Sequence, residues 1–111
     1  MNTLGAMLGF ASKAGQLVAG TAAVTAAIKK HRVHLVICAD DLAERTRRNF
    51  GGLCESNHIK FYSLATREEI GHWIGRPERG IIGILSKQFA GSLIAICEEL
   101  IVESQKSNVE C

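Results

Sequence analysis

The chain has 111 residues, 47% of them hydrophobic and only one a proline. This is the size of one domain with a real core, and it excludes a proline-rich linker or a long disordered middle. Thirteen Lys and Arg against 11 Asp and Glu leave a net charge of +2, too little to specify a partner.

The charge is unevenly spread along the chain. Residues 1–39 hold Lys13, Lys29, Lys30 and Arg32 and no carboxylate, whereas residues 94–111 hold Glu98, Glu99, Glu103 and Glu110 against Lys106. A basic beginning and an acidic end are a mild pointer to an anionic partner such as nucleic acid, set against ordinary solvated charge.

In chain order, residues 3–13 place Leu4, Met7, Leu8 and Ala11 at helical spacing, and Ala14-Gly15 reads as a helix stop. QLVAG (16–20) is a short apolar strand. Residues 21–31 form a second helix with Thr21 as its expected N-cap, burying Val24, Ala27 and Ile28. Ala22, Ala26 and Lys29 fall on another face of it, with Ala23 and Lys30 alongside. HLVICA (34–39) is a buried strand ending at Asp40-Asp41, the expected cap of a helix over about Leu42–Ser56. Gly51-Gly52 weakens that helix by roughly 1 kcal/mol per glycine relative to alanine.

KFYSL is a third short strand. Thr66 with Glu69 makes a capping box for a helix to about Ile74. GIIGIL (80–85) is a continuous apolar run, expected as a central strand buried on both faces. A last helix starts near Lys87, burying Phe89, Leu93, Ile96 and Leu100 and carrying the acids outside. The order α-β-α-β-α-β-α-β-α makes a compact α/β domain, a three-layer sandwich over residues 1–104, with residues 105–111 as a frayed tail. A Rossmann unit is disfavoured because no G-x-G-x-x-G follows the first strand.

Enzyme and metal signals are absent from the pattern. Cys38, Cys54, Cys97 and Cys111 have no C-x-x-C or Cys/His zinc spacing; Cys38 and Cys97 fall on apolar patterns as small core residues. His31, His34, His58 and His72 form no HExxH or HxH pair, and no serine sits in a G-x-S-x-G elbow. No metal site, catalytic residue or cofactor is expected. The N-terminal segment has no basic n-region and is glycine-broken, so the chain reads as cytoplasmic with reduced thiols and no membrane association.

The run KAGQLVAGTAAVTAAIKKHRVHLVICADD resembles the ribosomal L7Ae/L30e superfamily, especially its small bacterial YlxQ-like branch. Thr46, Cys54-Glu55, TREEIGHWIGRPERGIIGIL and SKQFAGSLI agree in order and spacing, so the likeness covers roughly residues 4–100. The resemblance implies an α-β-α sandwich around a mixed four-stranded sheet. It also implies binding of structured RNA, typically a kink-turn, whose bend exposes base edges that a regular A-form groove hides.

In that family the first turn of the second helix reads G-x-N-E-x-x-K. The glycine admits close backbone approach, Asn and Glu reach guanine edges, and Lys meets phosphate; the loop before the last strand touches an unstacked nucleotide. Here Gly20 keeps the glycine, but Ala22, Ala23 and Ala26 stand where Asn, Glu and Lys are expected. Alanine has neither donor nor acceptor, so kink-turn specificity is expected to be weakened or altered. The residues left to hold RNA are the Gly20 and Thr21 backbone, Lys13, Lys29, Lys30, Arg76 and Arg79, which favour phosphate positioning over base reading. Lys29 and Lys30 also suit a helix C-terminus without any ligand. The Arg45–Arg48 run reads as a solvated helix face. The expected function is thus a non-enzymatic, monomeric RNA-binding protein associated with structured RNA or a ribosomal particle. The alternative is a protein-interaction module whose RNA face has become an alanine-rich docking surface.

Overall fold

The computed structural model describes residues 3–109, with side chains through residue 101. The expected domain end at residue 104 and the tail 105–111 therefore lie outside the described side chains. The elements are α1 (Thr3–Lys13), β1 (Leu17–Ala19), α2 (Thr21–Lys29), β2 (Leu35–Cys38), α3 (Glu44–Ser56), β3 (Lys60–Ser63), α4 (Arg67–Ile74), β4 (Ile81–Ile84) and α5 (Lys87–Val109).

The four strands form one mixed sheet in the order β1-β4-β2-β3. β4 runs antiparallel to both β1 and β2, and β2 runs parallel to β3. GIIGIL is therefore central, as expected, and every residue of β4 is buried. The pleat divides the side chains between two cores. Leu35, Ile37, Ile82 and Ile84 face α1, α4 and α5 through Leu8, Ile70 and Leu93. Val36, Cys38 and Ile81 face α2 and α3 through Val24, Ile28, Phe50 and Cys54. Helices on both faces of a sheet make the three-layer sandwich.

Three local expectations are corrected. First, Thr21 is not the cap of α2. Gly20 holds that position at positive φ, with φ 102° and ψ 152°, no side chain caps the helix, and Thr21 is already helical. The helix stops at Lys29 rather than at residue 31, because His31 turns left-handed and the amides of His31 and Arg32 donate to Ile28 and Ala27.

Second, Asp40-Asp41 does not cap α3, which starts at Glu44 behind an Ala43 without a capping side chain. The parallel pairing of β2 with β3 brings both acids to other donors. Asp40 accepts from Ser63 Oγ at 2.8 Å, and Asp41 accepts from the Arg67 amide at 3.0 Å at the start of α4. Thr66 and Glu69 do form the expected capping box on α4.

Third, the buried stripe of α5 is Ala90, Leu93 and Cys97; Phe89 and Ile96 are half-buried, and Leu100 is 39% exposed. A helix of 23 residues spans roughly 34 Å at 1.5 Å per residue, far more than a four-residue strand covers, so its later turns outrun the sheet. Of the outer acids, Glu98 turns back to accept from Tyr62 Oη at 2.6 Å and to pair with Lys60 at 3.7 Å.

Candidate nucleic-acid interface

The α2 start is built by one backbone contact. The Gly20 amide donates to the Ile81 carbonyl at 2.9 Å, which ties the end of β1 to the start of the central strand. Gly20 occupies a φ/ψ region that side chains rarely enter, and a Cβ placed there would meet nothing within 4 Å. Backbone conformation therefore demands the glycine, and the space in front of it is open. The first α2 amide with a partner is that of Val24, which donates to Gly20 at 3.0 Å. Among the described residues the amides of Thr21, Ala22 and Ala23 have no acceptor, the usual state of a first helical turn and one that suits an anion.

Ala22, Ala23 and Ala26 are all exposed, while Val24, Ala27 and Ile28 are buried beneath them. The outer face of α2 is thus a shallow, side-chain-poor surface ending in Lys29 and Lys30. These two lysines lie at the far end of the helix, roughly 12 Å from Thr21 by helical rise. They share a face with the alanines but do not join the cluster around Gly20.

The loop over residues 75–80 leaves α4 and ends beside that cluster, because Ile81 follows it directly. Gly75 closes α4 in the left-handed conformation, and the Arg76 amide donates to Gly71 at 2.9 Å. The loop folds back so tightly that a Cβ on Gly71 would lie 2.7 Å from the Arg76 carbonyl oxygen. Arg76 is exposed. Arg79 is half-buried and curls over its own loop, donating to the carbonyls of Pro77 and Glu78 at 3.3 and 3.2 Å. Among the described residues Lys13, Lys29, Lys30, Arg76 and Arg79 make no ion pair with a carboxylate.

The Gly20–Ile81 bond thus sets Gly20, Thr21, Ala22 and Ala23 at the sheet end where the loop carrying Arg76 and Arg79 enters β4. Lys13 instead lines a depression between α1 and α4. Two further arginines reach the same sheet end: Arg47, expected on a solvated helix face, and Arg67, which no sequence pattern singled out. Arg47 donates to the Asp40 carbonyl at 3.4 Å, and Arg67 pairs with Asp41 at 3.7 Å. The RTRR run gave no sign of this, since the contact depends on where β2 ends relative to α3. Arg48 remains on the solvated face, paired with Glu44.

The other reactive residue types are placed elsewhere. Cys38, Cys54 and Cys97 are buried and free. Burial pushes the Cys54 thiol up to about 11 and the Cys97 thiol up to about 12, which disarms them as nucleophiles. The histidines that look scattered in sequence are partly gathered: His31, His34 and His58 line one depression with Asn57, at the sheet end opposite Gly20. Among the described residues no group of three or more His, Cys, Asp or Glu is arranged to hold a metal ion, and no helix is long and apolar enough to cross a membrane.

Residues 3–96 match the ribosomal protein L7Ae/L30e/S12e/Gadd45 family. The chain is 25% identical over 92 residues to the RNA-binding protein YlxQ of Bacillus subtilis, covering 83% of this chain and 92% of that one. It is 29% identical over 84 residues to the RNA-binding protein YlxQ of Enterococcus faecium, covering 76% and 81%. Among solved structures, a Bacillus halodurans protein of unknown function superposes with a TM-score of 0.86 at 30% identity, over 88% of this chain and 99% of that one. A Giardia lamblia 15.5kD RNA binding protein shares the fold at 13% identity, with a TM-score of 0.74 over 87% and 86% of the two chains.

Proposed function

Because this chain belongs to the ribosomal protein L7Ae/L30e/S12e/Gadd45 family, in its bacterial YlxQ-like branch, we propose that it is a non-enzymatic RNA-binding protein that grips structured RNA mainly through phosphates. The observation that carries this reading is the α2 start: three free amides at Thr21, Ala22 and Ala23, an open approach over Gly20, and the Arg76–Arg79 loop beside it. Backbone amides and arginines fix the position of a phosphate chain without reading its sequence. The exposed Ala22, Ala23 and Ala26 offer no hydrogen bond to a base edge, so kink-turn selectivity is weakened relative to the G-x-N-E-x-x-K pattern. The RNA is a ribosomal or comparably folded one, since irregular RNA exposes groups that a regular A-form groove hides. The protein acts as a monomer in the cytoplasm; the free, buried thiols of Cys38, Cys54 and Cys97 suit a reducing compartment.

The deciding experiment is crosslinking in cells followed by sequencing of the bound RNA, with an RNA-free control, combined with affinity measured across a salt series. Phosphate-dominated binding falls steeply with salt. Enrichment of structured RNA with a steep salt slope is the expected result. Absence of bound RNA together with recovery of one specific protein would replace this reading by a docking module on the alanine face.

A further inference from the structure

A depression of about 440 Å³ lies between α1 and α4, away from the α2 start. Gly5, Ala6 and Gly9 on α1 give it a floor without side-chain bulk, and Phe10 and Trp73 supply its aromatic surfaces. Phe10 is 60% exposed, although its helix buries Leu4, Leu8 and Ala11. The Trp73 ring is held in place by Gly5: a Cβ there would come within 2.6 Å of the indole nitrogen, so the ring lies directly on the α1 backbone. The indole N–H has no hydrogen-bond partner among the described residues, yet no buried side-chain nitrogen or oxygen lacks one, so this donor reaches solvent. Lys13 and His72, both exposed, complete the lining, and no carboxylate takes part in it.

Two aromatic surfaces, a free N–H donor and two nitrogenous side chains over a flat floor match a single unpaired nucleobase with its phosphate. The exposed Phe10 ring and the face of Trp73 turned away from Gly5 stack on the base, the indole N–H meets an acceptor on its edge, and Lys13 meets the phosphate. An apolar peptide would leave the donor and Lys13 without partners. The depression and the 75–80 loop are both attached to α4, since the loop begins two residues after Trp73. We infer that the α1/α4 depression is a base-stacking site for one unpaired nucleotide of the bound RNA, separate from the α2 start. This inference rests on the RNA-binding reading above.

Trp73 is the only tryptophan of the chain, so its emission reports on this site alone. The full chain is titrated with a fluorescein-labelled oligoadenylate and with an abasic ribose-phosphate oligomer of equal length, at low salt. Anisotropy reports binding and tryptophan emission reports stacking. The expected result is saturable quenching that tracks anisotropy for oligoadenylate and no quenching by the abasic oligomer. Phe10→Ala should weaken oligoadenylate binding roughly five- to hundredfold, and Phe10→Tyr should keep it within about twofold. Binding seen by anisotropy with unchanged tryptophan emission, or equal affinity for the abasic oligomer, overturns the stacking site and leaves the RNA reading intact. No anisotropy change with either oligomer or with a structured RNA overturns both. Quenching that follows protein concentration alone, with dimers in sedimentation, makes the depression a self-association surface and overturns the inference as well.

Discussion

The Gly20 amide and the Ile81 carbonyl meet at 2.9 Å, and this one hydrogen bond sets the start of α2 against the start of the central strand. The phosphate grip proposed at the α2 start depends on it. It brings the uncapped α2 amides beside the loop carrying Arg76 and Arg79, from segments far apart in sequence.

Gly20→Ala tests the backbone argument. A Cβ at that position would touch nothing, so no clash arises; the change only forces alanine into φ 102°, ψ 152°. The expected loss of stability is about 1–3 kcal/mol, measured by urea unfolding. An unchanged unfolding midpoint would mean that the α2 start relaxes freely and that its geometry is not fixed by the glycine.

Restoring the family side chains tests the reading of the alanines. Each good base contact is worth about 1–3 kcal/mol of discrimination. A chain carrying Ala22→Asn, Ala23→Glu and Ala26→Lys should therefore bind a standard kink-turn at least about tenfold more tightly than the natural one. All three positions are exposed, so the fold tolerates the longer side chains. Equal affinity of the two proteins, in one titration on one RNA, would show that the natural surface reads kink-turns without those side chains.

Replacing Arg76 and Arg79 together by alanine tests the phosphate contacts. The expected outcome is weaker binding by a similar factor on every RNA and a flatter plot of log affinity against log salt, by about 0.7–0.9 per lost contact. Arg79 must first leave the carbonyls of Pro77 and Glu78, bonds exposed enough to exchange for a phosphate. An unchanged slope would remove the loop from the interface.

The contact between Tyr62 and Glu98 gives the fold a pH signature. The hydrogen bond from Tyr62, followed by the charge of Lys60, holds the Glu98 carboxyl below its ordinary value. Desolvation, then the bond to Glu98, raises the Tyr62 phenol. A depressed carboxyl contributes stability above its unfolded value of about 4.3 and loses it as pH falls through the lower folded value. A raised phenol contributes stability below its unfolded value of about 10 and loses it as pH rises toward the folded one. Tyr62→Phe should therefore lower the urea midpoint at neutral pH, and the difference from wild type should shrink toward both limits. A difference independent of pH would mean that the mutant loses packing and not this hydrogen bond.

Short-range pattern alone determined the kinds and order of the elements, the burial of Ile81–Ile84 within GIIGIL and of Val24, Ala27 and Ile28, and the capping box at Thr66, because spacing and capping act over a few residues. It also determined the absence of polar side chains at Ala22, Ala23 and Ala26. The tertiary structure decided the rest. Asp40 and Asp41 left α3 for Ser63 and Arg67, Gly20 took the cap from Thr21, and Trp73 settled on Gly5 to open the α1/α4 depression. Each of these depends on which strand ends lie side by side and which helix outruns the sheet. Those neighbours are chosen by the joint burial of distant segments, a long-range condition that no local stretch of residues encodes.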